Sequence, residues 1–571
     1  MRRAGILIAA VSVCVAAASL QPTSPPENRR KEYDADVRKT ILELQQFRES
    51  ASIQIRRGGT DATATLINLN PAINAWYLLK LSSNHGASEA VYHLENGNPK
   101  TRRLLLDEKH PSGIAIMEGN NRSSCDLFDG DILERAKRSG SIYYPLCEGR
   151  IYLRNGGAGH RTSLEAATEL LRDHVWGGEK IVDLGHVLLG GINRETGTPG
   201  RAPPSDRREN SSGAPLAAAI DPKYADRSLL SANLGIDLEK PEKSGLLAGA
   251  WYAANSNPGV YASLIQPNLI DPALLQSYRT NVNALDGIEA AALCYLVAFD
   301  LDRFDLAFAI GTTYPGVGWS HQAPDRARNS TLPGPDGIGS ISPLVATGLI
   351  APPDASKTVA TFTGGYKRWH GAFKYGDLAT RNHGSHYGFV EKGVVLSKLQ
   401  PGLATVFVLA GGSIGMKTWT EADNGLLPRV EYARQNGVPL IDSGKPGALV
   451  NRWGPGNWSG SEDAHLRTLR AGLALQKNRG RRFLIYAVFS DATPSAMARI
   501  FQAYHCDYAM LLDMNALEHT YMALYRRSGS RLFVAHLLKG MGGVDKSSSG
   551  KVIPRFLGYA DNRDFFYVMR R

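Results

Sequence analysis

Cysteine is scarce in this chain, with five in 571 residues. That excludes a small disulfide scaffold, and the absence of any CxxC or Cys/His ligand spacing argues against a structural zinc. Long apolar runs are missing too. Beyond the first twenty residues no segment reaches about 18 apolar positions, so a multi-span helical membrane protein is excluded. Charge is not concentrated either: no Lys/Arg run exceeds three residues and none alternates with aromatics, which argues against a nucleic-acid partner despite a net charge of +11. Hydrophobic residues at 43% and charged residues at 21% are ordinary for a globular protein, which excludes wholesale disorder and collagen.

Glycine is what the chain has in excess. Fifty-nine glycines exceed the usual share of about 7%, which points to many tight turns and close backbone approaches. A loop-rich β or α/β protein of two or three domains fits this length better than a helical bundle. The basic balance suits a polyanionic ligand such as an anionic polysaccharide or a sugar phosphate, and equally a generally basic exported protein.

Arg2 and Arg3 precede an apolar stretch from Ala4 to Ala18, and a polar, proline-rich segment follows. This is the layout of a signal peptide over residues 1–24, with a retained single anchor as the alternative. A secreted or periplasmic protein is expected, without stable membrane insertion after cleavage. In such an oxidising compartment Cys125 and Cys147 can close a loop of about 22 residues. Cys294, inside the run AALCYLVAF, reads as a buried thiol.

Apolar residues at helical spacing predict an amphipathic helix from Glu32 to about Ser50. The stretches ASIQI, ATATLINL and EAVYHL, separated by RRGGTD and ENGNPK, predict short strands and turns. Thr162 with Glu165 forms a capping-box pattern ahead of a second helix. A smaller α+β domain over residues 25–192 is therefore expected. Residues 193–244 then read as a linker, because their first half is rich in Pro, Gly, Ser and charge without apolar period. The remaining 245–571 form a second domain, and the fold class expected for the chain is α/β, mixed α+β.

The chemistry gathers in that second part. Arg482 to Asp513 reads as strand, helix, strand, with Thr493 as cap and Pro494 in the first helical turn. Ligands of such βαβ units collect beyond the carboxyl ends of the strands, where Asp491 and Asp513 stand. VATF leads into Thr363, Gly364, Gly365, Tyr366, Lys367, Arg368, Trp369 and His370, where paired glycines allow close approach and the basic groups supply positive charge. His383 and His386 lie three apart. They are either a metal-ligand pair or polar turn histidines bonding backbone; with no HExxH pattern, no metal or other cofactor is expected. Asp513, Asn515, Glu518 and His519 crowd just past an apolar run, a density that is costly unless the groups serve each other or a ligand. An N-cap role for Asp513 or Asn515 is the structural alternative.

At these residues the chain resembles the phosphodiester glycosidase family, which includes the lysosomal enzyme that uncovers mannose-6-phosphate and many exopolysaccharide-associated proteins. Phe362-Thr363-Gly364-Gly365-Tyr366 is similar to the family's Asn-Gly-Gly-Phe block, and Tyr387 to Gly393 is similar to its following hairpin. Arg467-Thr468, the Thr493 helix and Leu512-Asp513 are similar to its Arg-Thr block and its closing Leu-Asp-Gly-Gly-Gly-Ser block. Met514 to His519 stand where the family has glycines and a serine. The resemblance spans roughly residues 245–571 and implies a phosphodiester-glycosidase-like domain that hydrolyses a sugar phosphodiester or related glycosidic bond. Thr363, Gly364, Gly365, Lys367, Arg368, His370, Arg467 and Asn515 are the candidates for holding an anionic carbohydrate or sugar-phosphate substrate. Asp513, Glu518, His519, His383 and His386 are the candidates for acid, base or nucleophile. The alternative is an inactive relative that binds an anionic glycan or envelope protein, with Trp369, Trp453 and Trp458 as stacking surfaces.

Overall fold

A computed structural model describes residues 42, 44–83, 89–160, 213–239, 245–312, 345–365, 388–452 and 464–571, and the backbone of 198–201. The expected helix from Glu32 to about Ser50 falls mostly outside these residues, and its described end is not helical but forms turns and, from Glu49, the start of a strand; the Thr162 helix falls wholly outside. The architecture is β-rich, with 46% strand against 14% helix, and seven sheets are formed among the described residues. This corrects the expected α/β class. The short apolar runs, broken every few residues by Gly, Asn and Asp turns, close as antiparallel hairpins, whereas a βαβ reading holds at one place alone among them.

The first module is built from β1 (Glu49–Arg57), β2 (Thr60–Asn68), β3 (Trp76–Ser83) and β4 (Ala90–Asn96), then β5 (Arg102–Leu105), β6 (Gly113–Glu118) and β7 (Asn121–Asp126), and finally β8 (Tyr143–Leu146) and β9 (Ile151–Arg154). A six-stranded sheet runs β1-β2-β3-β4-β9-β8 and a three-stranded one β5-β6-β7. The expected strands at 51–55, 62–69 and 89–94 coincide with β1, β2 and β4 except at Leu69 and Glu89, which fall just outside. Alternating inward residues such as Ile53, Ile55, Ala62, Ala64 and Leu66 make its core.

Cys125, on β7, is disulfide-bonded to Cys147 beside β8 across a separation of 22 residues. Replacing both by serine is expected to lower the unfolding free energy by about 3 kcal/mol, since loop closure no longer restrains the unfolded chain. Urea denaturation under non-reducing conditions measures it.

Three sheets, of eight, five and five strands, form most of the rest. In the first, Cys294–Asp300, Arg481–Ala492, Thr468–Asn478 and Tyr508–Met514 lie side by side at the centre of eight strands. The second orders Phe304–Ala309, Phe565–Arg570, Thr358–Thr363, Met522–Ser528 and Arg531–His536, and the third carries Phe389–Glu391 beside Val430–Gln435. The helix Pro494–Ala503 starts as the sequence predicts, with the Thr493 side chain accepting from the Ala496 N–H. Its flanking strands Arg481–Ala492 and Tyr508–Met514 are parallel but not adjacent, because Thr468–Asn478 lies between them, antiparallel to both. All ten helix residues are buried. A Cβ on Gly472 would stand 2.9 Å from the Phe501 ring, so the absence of a side chain there lets the helix lie directly on the sheet.

Residues 213–239, within the segment read as a linker, pack on this second part. The Leu216 N–H donates to Gln476 Oε1 at 2.7 Å and the Trp251 indole donates to the Leu216 carbonyl at 2.8 Å.

One hydrophobic core also joins the two modules, since Leu69, Ile73, Trp76 and Leu78 belong to the same cluster as Val260, Phe308 and Phe389. A buried ionic network lies across the junction. Glu95 pairs with Arg154 at 3.3 Å and accepts from Lys392, which also reaches Asp354 at 3.3 Å. The Arg154 guanidinium stacks 3.4 Å over Trp76. Next to Lys392, Glu391 is buried and accepts from the Ile310 N–H at 3.0 Å. Burial pushes its carboxyl up to about 7, with Arg154 and Lys392 opposing and Glu95 adding.

The folded chain therefore holds a proton on Glu391 in a pH window where the unfolded chain has released it. Stability from this group is present at acidic pH and is lost as pH rises from the ordinary carboxylate range through about 7. Glu391→Gln is expected to remove that decline, worth about 3 kcal/mol. Urea midpoints measured from pH 5 to 8 for both chains give the comparison.

Candidate functional site

Strand ends from the three larger sheets converge on one cluster. Thr358–Thr363 ends at Thr363, where the chain leaves the sheet as Gly364-Gly365, and Asp561 to Asp564 lead directly into the neighbouring strand Phe565–Arg570. Val430–Gln435 contributes Arg434 and, just past its end, Asn436. Tyr508–Met514 ends on Asp513 and Met514. These strands are almost wholly buried, and Thr361, Thr363, Arg434, Gln435 and Asp513 are buried polar residues within them. Buried polar groups need partners, and at the strand ends they find them in one another and in the backbone of the departing chain.

The hydrogen bonds close into a ring. Thr363 Oγ1 donates to the His519 carbonyl at 2.6 Å, and His519 Nδ1 bonds the Met514 carbonyl at 2.8 Å. The Met514 N–H donates to Asp513 Oδ1 at 2.9 Å, and Arg563 Nη1 donates to Asp513 Oδ2. Asp564 follows Arg563, and the Gly364 N–H donates back to the Asp564 carbonyl at 2.9 Å. Because a carbonyl only accepts, His519 Nδ1 carries a proton, and Nε2 is the basic nitrogen of the neutral ring. That nitrogen lies 4.0 Å from Glu518 Oε1.

A second layer holds this ring. Arg434 and Asp564, both fully buried, form an ion pair through Arg434 Nε, and the guanidinium lies 4.5 Å over the Phe389 ring. Burial pushes the Asp564 carboxyl above the usual carboxylate range, while the Arg434 charge pulls the other way. Asn436 Nδ2 donates to the Leu511 and Leu512 carbonyls at 2.8 and 3.0 Å and so fixes the backbone that presents Asp513. Arg555 binds Asp561 through both Nε and Nη2 and donates to the Glu518 carbonyl, which anchors the Glu518-His519 turn. Gly364 and Gly365 have no room for a side chain. A Cβ on Gly364 would stand 2.9 Å from Asp564 Oδ2, and Gly365 has φ +143° with Arg434 Nη2 at 3.0 Å from the same construction.

Of the sequence candidates, Thr363, Gly364, Gly365, Asp513, Glu518 and His519 come together in this cluster. Asn515 sits at its margin with φ +83°, and its Oδ1 accepts from Thr468 Oγ1 at 3.1 Å, a turn-closing bond. Arg467 is directed elsewhere, half-buried and paired with Asp286 at 3.2 Å. Lys367, Arg368, Trp369, His370, His383 and His386 lie outside the described residues, as do Trp453 and Trp458. Among the described residues no group of three or more His, Cys, Asp or Glu side chains could hold a metal ion. No described helix is long and apolar enough to cross a membrane.

Arg434, Asn436, Arg563 and Asp564 were not legible as site residues. A signal existed for two of them: Asp561-Asn562-Arg563-Asp564 is a polar quartet directly before an apolar strand, the same density that draws attention to Asp513 through His519. A comparison with protein-family models and a search of curated proteins found no match to this chain.

Proposed function

We propose that this chain is a hydrolase of a sugar phosphodiester or related glycosidic bond in an anionic glycan, acting in an oxidising compartment where the Cys125–Cys147 bridge persists. The observation that carries the reading is the closed ring around Gly364-Gly365, in which two buried aspartates meet different surroundings. Asp513 is paired with Arg563 and bonded by the Met514 N–H, whereas Asp564 is paired with Arg434 and is raised above the usual carboxylate range by burial. Separate environments for two carboxyl groups are what an acid and a charged partner need in glycoside cleavage. In this reading Asp513 is the ionised group facing the sugar carbon, Asp564 or Glu518 delivers the proton to the leaving oxygen, and His519 Nε2 accepts a proton from water.

The second reading is an inactive binder of an anionic glycan. It draws support from Arg467 and Asn515, both of which are committed to protein partners. Turnover of a chromogenic aryl phosphodiester of a sugar by the full chain separates the two. Hydrolysis that disappears in Asp513→Asn supports the enzyme, and binding without turnover supports the inactive relative.

A further inference from the structure

The crevice between the two modules is distant in chemistry from the Asp513 ring and is built differently. Two cavities adjoin there. One, of about 370 Å³, is lined by Glu95, Asn98, Asp354, Lys357 and Arg570, and the other, of about 380 Å³, by Asn74, Arg102, Arg103 and Met117. They share Pro99, Lys100, Gly411 and Glu431, so together they form one elongated trough with a wall from each module. Each has the size of a ligand pocket.

The charges along it do not cancel locally. Glu95 and Asp354 are taken by Arg154 and Lys392, and Asp305 by Arg571 at 2.9 Å. Lys100 and Arg103 on one bank, with Lys357 and Arg570 on the other, have no side-chain hydrogen bond or ion pair among the described residues. Lys357 and Arg570 are also brought side by side, because the Arg570 N–H donates to the Lys357 carbonyl at 3.0 Å. Exposed cations gathered along one trough give it a positive potential, which favours an anion there. At the junction of the cavities Glu431 has no salt bridge among the described residues, and burial raises its carboxyl above the ordinary range against the pull of Lys392 and Lys100. It and Asn98 offer hydroxyl-matching groups between the cationic banks.

We infer that this crevice binds a segment of an anionic polysaccharide, with its carboxylate or phosphate groups on Lys100, Arg103, Lys357 and Arg570 and its hydroxyls on Glu431 and Asn98. The first module then serves to hold the polymer. This shares the ligand chemistry of the hydrolase reading but not its site.

The test is binding of the full chain to polygalacturonate, to poly(glycerol phosphate) and to neutral dextran, at low and high salt. The parent is expected to bind one or both polyanions, more weakly as salt rises, and not dextran; which polyanion binds distinguishes carboxylate from phosphate. The quadruple variant Lys100→Ser, Arg103→Ser, Lys357→Ser, Arg570→Ser changes exposed positions and is expected to melt with the parent while binding at least about tenfold more weakly. No binding to either polyanion, equal binding to dextran, or unchanged binding by the quadruple variant overturns the proposal. Binding retained by Arg563→Gln supports the crevice, even if no sugar phosphodiester is ever hydrolysed. Binding lost in that folded variant places the polymer in the Asp513 cluster and overturns it.

Discussion

Asp513→Asn is expected to lower kcat on an aryl sugar phosphodiester by about 10² to 10⁴, with KM changing far less. The substitution keeps shape and leaves the Met514 N–H an acceptor at Oδ1, but it removes the charge that Arg563 faces. A loss confined to kcat marks a group whose interaction is made in the transition state, whereas a rise in KM alone marks ground-state binding. Melting curves of the variant guard against a trivial cause. The companion His519→Gln also keeps size, and its effect on the pH profile reports whether the imidazole takes part in proton transfer. An Asp513→Asn enzyme that folds and turns over at the parent rate would falsify the assignment.

The largest expected effect on stability comes from Arg434. Arg434→Met leaves the buried Asp564 without its cation, and stranding one member of a buried pair costs about 3 to 5 kcal/mol. Arg434→Met with Asp564→Leu removes both charges and is expected to recover most of that loss, since apolar replacement of a buried pair is often neutral. The single variant should also regain stability as pH falls, because the carboxyl, already shifted upward by burial, then takes a proton and loses the charge that burial penalises. Urea denaturation of the three chains at pH 5 and pH 8 reads all of this. If the single and double variants were equally unstable, packing around Phe389 rather than charge would be the cause.

These experiments probe residues that differ sharply in how visible they were. Thr493 and Pro494 announced the helix, a local signal of residue type and spacing. Thr363 to Gly365 and Asp513 to His519 stood out because polar density after an apolar strand is a local property. Arg434 and Asp564 are 130 positions apart, and Arg563 and Asp513 are 50 apart. Nothing in either neighbourhood specifies the partner. Arg467 shows the reverse case: an arginine beside a promising strand suits an anionic substrate by sequence alone, yet in the fold it pairs with the cap residue Asp286, 181 positions earlier.

By itself the sequence determined the strands, the Thr493 helix start, the disulfide pair and the positions where polar groups gather, because these depend on residue type and spacing within a few positions. Tertiary structure alone decided that the sheets are antiparallel and the class β-rich, that one core runs through both modules, and which charges meet. A hydrophobic period acts over one turn or one strand. The partner of a buried charge is chosen by whichever strand ends the packing brings together, and that is a property of the whole chain.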